Sequence, residues 1–286
     1  MLFLIGAVVV LSCVIGGYMA QGGHLEALYQ PFELVIIGGA AVGAFVISNP
    51  MTVIKRTAGA LGDMMKGAPY SKDNYLELLS MLYTVFKMAK SKGMLALEQH
   101  VEKPDESTLW QKFPKFAGDH HALTFLCDYL RLLTLGSDNP HEMEALIDEE
   151  IETHHAERNQ VVGAIRTMAD GMPALGIVAA VLGVIHTMGS ISEPPEVLGR
   201  LIGGALVGTF LGVLLSYGFV APIGSCLQAR YDAEAKYFQC IKAGLLAYMQ
   251  GYAPAVATEF ARKALLSEVR PTFYEVEEAV AALPPV

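Results

Sequence analysis

Four stretches of the chain are apolar almost without interruption, while the remainder shows the spaced apolar positions of amphipathic helices. Residues 1–20, MLFLIGAVVVLSCVIGGYMA, carry no charged side chain, and residues 32–49, FELVIIGGAAVGAFVISN, carry one, Glu33. Residues 173–192 carry none, and residues 198–223 carry only Arg200. At a rise of about 1.5 Å per residue, each is long enough to cross a hydrocarbon layer about 30 Å thick. The pattern predicts four transmembrane helices. Short polar connections at 21–31 and 193–197 join them into two hairpins, 1–50 and 171–223. A long segment, 51–170, separates the hairpins, and a tail, 224–286, follows the second.

Outside the spans the period is helical. Tyr75, Leu79, Leu82 and Phe86 fall on one face of a helix. A second helix is expected at 120–135. A third starts at Asn139, with Asn as N-cap, Pro140 at the first helical position and Glu142 placed for a capping box. Its apolar face is Met143, Leu146, Ile147 and Ile151. Residues 228–249 continue as a helix after the fourth span, with Tyr237, Ile241, Leu245 and Tyr248 on one side, and a further helix follows Pro254 over 253–267. No strand-like alternation stands out. The expected class is all-α: a polytopic membrane protein with a large helical loop and a helical C-terminal tail.

Composition supports the membrane assignment and charge orients it. The 286 residues are 53% hydrophobic and 17% charged, with mean hydropathy +0.39, against roughly 25% charged in a typical soluble domain. Segment 51–170 holds 13 of the 20 Lys and Arg residues and the tail six more, whereas neither short connection holds any. The positive-inside rule then places both termini and the large loop in the cytoplasm. The first span has no basic residues before it, so it reads as an uncleaved helix rather than a signal peptide. A net charge of −9 gives no electrostatic support for nucleic-acid binding. The four cysteines show no CxxC spacing, which argues against a disulfide framework or a structural zinc site.

Enzyme chemistry finds no foothold. There is no P-loop, nucleophile elbow or dinucleotide fingerprint, and no cofactor or metal site is expected. His120-His121 and His154-His155 are adjacent pairs, which point about 100° apart on a helix and so lack the i, i+4 geometry of a metal pair. They are expected to be solvated surface. The spans are more informative. Pro173, Gly176, Ala180, Gly183 and Thr187 form a stripe of small or weakly polar side chains on the third, and Ala205, Thr209, Gly212 and Ser216 form another on the fourth. Close helix packing is the commoner use of such stripes; the other is to face a central helix or a narrow aqueous path. Neither span contains Asp or Glu, so a proton crossing here would need a carboxylate from another chain. Glu33 and His186 are expected at the outer ends of their spans.

The run Ala205-Leu206-Val207-Gly208-Thr209-Phe210-Leu211-Gly212, followed by Pro222, resembles the signature of MotA-type flagellar stator subunits in the MotA/TolQ/ExbB proton-channel superfamily. LYQPFELVIIGGA, ALIDEEIETH, MPALGIVAAVLGVIHTMGS and GYAPAVATEFARKAL resemble it too, so the likeness spans essentially the whole chain. It implies a ring, pentameric in this family, around the transmembrane helices of two MotB-type partners. These are single-span, peptidoglycan-anchored subunits whose aspartate binds the proton. By the same likeness Thr209, Ala180 and Tyr217 belong to the channel, and Pro173 and Pro222 to the cytoplasmic ends of the channel helices. Lys90 and Glu98 match the charged pair that engages the rotor protein FliG, with Lys in place of the more usual Arg. Sodium-type relatives carry a threonine where this chain has Ala180, so the expected transported ion is H+. A TolQ/ExbB-type energiser is the main alternative, but that group usually has three spans and an outward N-terminus. A membrane scaffold without ion flux is the third reading.

Overall fold

The computed structural model describes residues 2–64 and 69–284, and no strand occurs among them. In chain order the helices are α1 (Leu2–Ala20), α2 (Leu25–Leu28), α3 (Pro31–Ser48), α4 (Met51–Met64), α5 (Lys72–Lys92), α6 (Leu95–Glu102), α7 (Pro114–Ala117) and α8 (His120–Thr134). They are followed by α9 (Pro140–Met188), α10 (Pro195–Leu215), a π-helical turn at Ser216–Val220, α11 (Ala221–Met249), α12 (Pro254–Lys263) and α13 (Phe273–Ala281). The all-α expectation holds. Four helical stretches are long and apolar enough to cross a membrane, one in each predicted span.

The chain divides into two compact units, one of residues 1–67 and 157–230, the other of residues 68–156 and 231–286. The third predicted helix and the third span are a single element, α9. Proline stops a helix only when its surroundings cannot absorb one lost N–H, and at Pro173 the helix continues. The start of α9 is capped as the sequence suggests: the His141 N–H donates to Asn139 Oδ1 at 3.1 Å, and Asn139 Nδ2 donates to Glu142 Oε1 at 2.8 Å.

The first unit wears its apolar residues outward. No residue of α1 is buried, and Leu4, Val8, Val35, Val42, Ile177, Val181 and Ile185 are all exposed. Such a surface is unstable in water and suits contact with lipid. Among the described residues of this unit, Ile37 and Ala41 of α3 pack against Met172 and Ala179 of α9.

The second unit is an ordinary helical core. Tyr75, Leu79, Leu82 and Phe86 on α5 are buried, as are Tyr237, Ile241 and Leu245 on α11, with Trp110, Phe113 and Phe116 filling the core beside them. Tyr248 is half-buried and stacks on Phe86 at a 4.9 Å ring separation. α12 and α13 pack on α5, and α6 packs on α8. Ser71 and Asn74 cap α5, Asp119 caps α8 through the Ala122 N–H, and Thr272 and Glu275 form the box that starts α13.

Of the two histidine pairs, His120 and His121 are exposed as expected, whereas His154 and His155 are half-buried rather than solvated. The rings of His121 and His154 lie 4.3 Å apart, and both rest edge-on to Phe238. His155 Nε2 stands 3.5 Å from Asp232 Oδ1. The His154 ring is drawn inward because Phe238 offers it an apolar neighbour, against which an aromatic face buries more favourably than it hydrates.

Candidate functional site

The small-residue stripes meet. A Cβ on Gly176 would lie 2.8 Å from the Gly208 carbonyl oxygen and 3.0 Å from Gly212 Cα, and one on Gly212 would lie 2.8 Å from both Gly176 Cα and the Met172 carbonyl oxygen. A Cβ on Gly183 would lie 2.7 Å from Ala205 Cβ. α9 and α10 are therefore in backbone-to-backbone contact along this line, and glycine is required there because no side chain fits. For these residues packing is the use of the stripe. Thr187, one turn beyond Gly183, is buried and donates back to the Gly183 carbonyl at 2.9 Å, so it is spent within its own helix.

Glu33 departs from the rim position expected for it. Its backbone lies in the first turn of α3, but its carboxylate enters the same seam: Oε2 lies 2.8 Å from where a Gly208 Cβ would stand, and Oε1 3.6 Å from that of Gly183. Oε2 is buried and has no hydrogen-bond partner among the described residues. The stretch of α9 and α10 beside Ala180 and Thr209 is thus not free of carboxylate; α3 brings one in. Sequence reasoning missed this because it counted acids within each span, not those a neighbouring helix delivers.

Ala180 and Thr209 are both half-buried, and the Ala180 N atom lies 3.0 Å from the would-be Cβ of Gly208. The structure brings these two residues to the same level of the seam. Tyr217 is exposed on the π-helical turn, one residue beyond the buried Ser216. In that turn the Ala221 N–H donates to the Ser216 carbonyl, one residue further back than in an α-helix. Pro222 follows immediately. A proline ring collides with the carbonyl four residues before it, here Gly218, and a widened turn makes room. α1 packs against this turn, where a Cβ on Gly218 would lie 3.3 Å from Val10 Cγ1.

Pro173 interrupts the hydrogen-bond ladder of α9 without a widened turn. Its missing N–H deprives the Ala169 carbonyl of its helical donor. Ser216 Oγ donates to that carbonyl at 2.6 Å, between two residues with no exposed surface. The two proline positions are therefore joined through the π-helical turn, a link that only the register between two helices could reveal.

Lys90 and Glu98 lie in the second unit, on successive helices. Lys90 is exposed in the last turn of α5, and Gly93, at φ +84°, turns the chain into α6, where Glu98 is exposed in the first turn. Neither forms an ion pair with a described residue, whereas Lys72, Arg131, Lys242 and Arg262 all do. Both are available to something outside the chain, although surface charges of this kind contribute little to stability by themselves.

Comparison with known proteins fits this geometry. Residues 4–93 match the family described as motility protein A N-terminal, and residues 120–240 match the MotA/TolQ/ExbB proton channel family. The chain is 46% identical to motility protein A of Salmonella typhimurium strain LT2 over 283 residues, covering 99% of this chain and 96% of that protein. Identity and coverage are the same for motility protein A of Escherichia coli K12. Among solved structures, the fold is similar to that of the Campylobacter jejuni MotAB structure, with a TM-score of 0.77 at 19% identity, covering 93% of this chain and 96% of that one.

Proposed function

This chain belongs to the MotA/TolQ/ExbB proton channel family as a multi-pass inner-membrane protein, and from that membership we propose that it is a proton-driven stator subunit of the flagellar motor. The full-length likeness to the enterobacterial motility proteins carries the reading. The placement of Ala180 and Thr209 at one level of the α9–α10 seam supports it.

In this proposal both termini and the second unit are cytoplasmic, as the distribution of basic residues favours. Copies of the chain, five in the family's pattern, surround the single-span helices of a MotB-type, peptidoglycan-anchored partner. The likeness to the solved Campylobacter jejuni MotAB structure supports such an assembly. A proton taken up by the partner's aspartate changes the charge beside Thr209, Ala180 and Tyr217, and that change favours one of two helix arrangements. Pro173 and Pro222 stand where the hydrogen-bond ladders of α9 and α11 are already interrupted, so rearrangement there costs little backbone bonding. Lys90 and Glu98 hand the movement to oppositely charged residues of FliG. Ala180 presents no hydroxyl to coordinate a bare sodium ion, which favours H+ as the transported species; no cofactor takes part. An energiser of the TolQ/ExbB kind is disfavoured by the four spanning stretches.

The test is motility in cells lacking their own stator pair, supplied with this chain and its single-span partner. Swimming should persist in sodium-free medium and stop on addition of a protonophore. Swimming that vanishes without sodium and survives the protonophore overturns proton coupling. Thr209→Ala should abolish motility at normal membrane levels, whereas a passive scaffold would lose function only through abundance.

A further inference from the structure

Hydroxyl side chains inside helices normally turn back on their own helix. Ser48 donates to the Ala44 carbonyl, Thr57 to Val53, Ser80 to Leu76, Thr187 to Gly183 and Ser225 to Ala221, all four residues back. Ser216 does otherwise. It crosses 47 positions of sequence to the Ala169 carbonyl of α9. That carbonyl is the acceptor which Pro173, four residues on, leaves without its helical donor. In an apolar, water-free setting an unanswered carbonyl is costly, and the neighbouring helix is the place from which a donor can come. Ser216 also opens the π-helical turn that makes room for Pro222.

We propose that Ser216 is a positioning residue whose hydroxyl stands in for the N–H that Pro173 lacks, tying the interruption of α9 to the widened turn before Pro222 so that the two shift together. The bond fixes the level of α10 against α9 below the glycine contacts, where neither helix has a complete ladder of its own. This deepens the stator reading and depends on it for the motility arm of the test alone.

The experiment uses the complete complex with its single-span partner and compares wild type, Ser216→Ala, Ser216→Thr, Pro173→Ala and the double variant Ser216→Ala/Pro173→Ala. Amide hydrogen exchange across 165–177 reports the bond directly. Ser216→Ala should raise exchange there about fivefold, the equilibrium ratio for one net hydrogen bond. Ser216→Thr, which keeps the donor, should restore protection. In the Pro173→Ala background residue 173 regains its N–H and serves the Ala169 carbonyl, so adding Ser216→Ala should change exchange less than about twofold, the non-additivity of two groups serving one acceptor. Equal effects in both backgrounds, or no effect in either, overturn the proposal. Ser216→Cys, of the same shape with a weaker donor, replaces Ser216→Ala should that variant fail to accumulate. Swimming speed at matched membrane levels separates positioning from mere stability: Ser216→Ala should slow it and Ser216→Thr recover it. Exchange coupling with unchanged speed reduces Ser216 to a structural bond and refutes the positioning role. Absence of motility for wild type itself strikes at the stator reading and leaves the exchange cycle to judge the bond.

Discussion

Gly176→Ala should separate α9 from α10. The added Cβ would stand 2.8 Å from the Gly208 carbonyl oxygen and 3.0 Å from Gly212 Cα, both backbone atoms that no rotamer change can move. Restoring an ordinary contact requires α10 to withdraw by roughly 0.6 Å, and a gap of that order forfeits a quarter to a half of the dispersion energy along the contact line. Overpacking of this kind costs about 1–3 kcal/mol. Alanine returns about 0.5–1 kcal/mol through its better helical propensity, leaving a net loss of up to about 2.5 kcal/mol. The control is Gly163→Ala on the same helix, where a Cβ meets nothing within 4 Å, so only the gain applies. In a thermal melt of the purified complex, Gly176→Ala should fall roughly 2–5 °C below Gly163→Ala. Gly212→Ala forces the same separation from the other side, because its Cβ would lie 2.8 Å from Gly176 Cα. The two substitutions together should therefore cost clearly less than their sum. Equal melting of Gly176→Ala and Gly163→Ala would refute the backbone-contact argument, and strict additivity would refute the shared line of contact.

Charge reversal at Lys90 or Glu98 should reduce swimming at normal membrane levels, and a matching reversal on the rotor partner should recover part of it; motility indifferent to both variants removes these residues from the rotor contact. Arg262 is buried, forms two 2.6 Å bonds to Glu259 and donates to the Pro271 carbonyl at 2.9 Å. Arg262→Lys, which loses the planar fork, should destabilise the second unit by about 1.5–3 kcal/mol in chemical denaturation, and an unchanged midpoint would show the fork to be dispensable. Glu275 has its carboxyl pulled down to about 2 by the Lys72 ammonium at 2.7 Å and by the Thr272 N–H and hydroxyl. Because the folded value lies below the ordinary 4.5, the stabilisation is complete above about pH 4.5 and is lost as the pH falls from there towards 2. Exchange protection across 273–281 should thus be higher in wild type than in Glu275→Gln near pH 6, with the difference closing near pH 2; a constant difference would contradict the linkage.

What could be read from the sequence depended on which solvent each segment meets. In the second unit water sorts the side chains, so the periodicity of Tyr75, Leu79, Leu82 and Phe86 identifies a face that is in fact buried, and the Asn139-Pro140 start of α9 is capped as its residues suggest. Where burial there was misjudged, at His154 and His155, the neighbours are tertiary ones that no local pattern contains, Phe238 beside His154 and Asp232 beside His155. In the spans lipid removes that sorting. α1 is apolar on every side and buries none of its residues, so its sequence marks a span without marking a face. The glycine stripes did mark a face, because a missing side chain is as visible in a sequence as a charged one.

The polar groups of the first unit were the harder part, because each depends on the register of two helices. Counting acids span by span left the third and fourth spans without a carboxylate, yet Glu33 of α3 inserts its own against Gly208 and Gly183. Reading Ser216 as one more small residue of a packing stripe missed that it answers the carbonyl Pro173 exposes. Both follow from one constraint. Where water is absent, a polar atom must find its partner within the protein, and the partner lies across a helix contact rather than along the chain. A sparse polar residue in such a seam is therefore to be explained by the acceptor or donor missing opposite it. By that rule the Ser216 hydroxyl is explained by the Ala169 carbonyl it answers, whereas the Glu33 carboxylate has one buried oxygen still unanswered among the described residues.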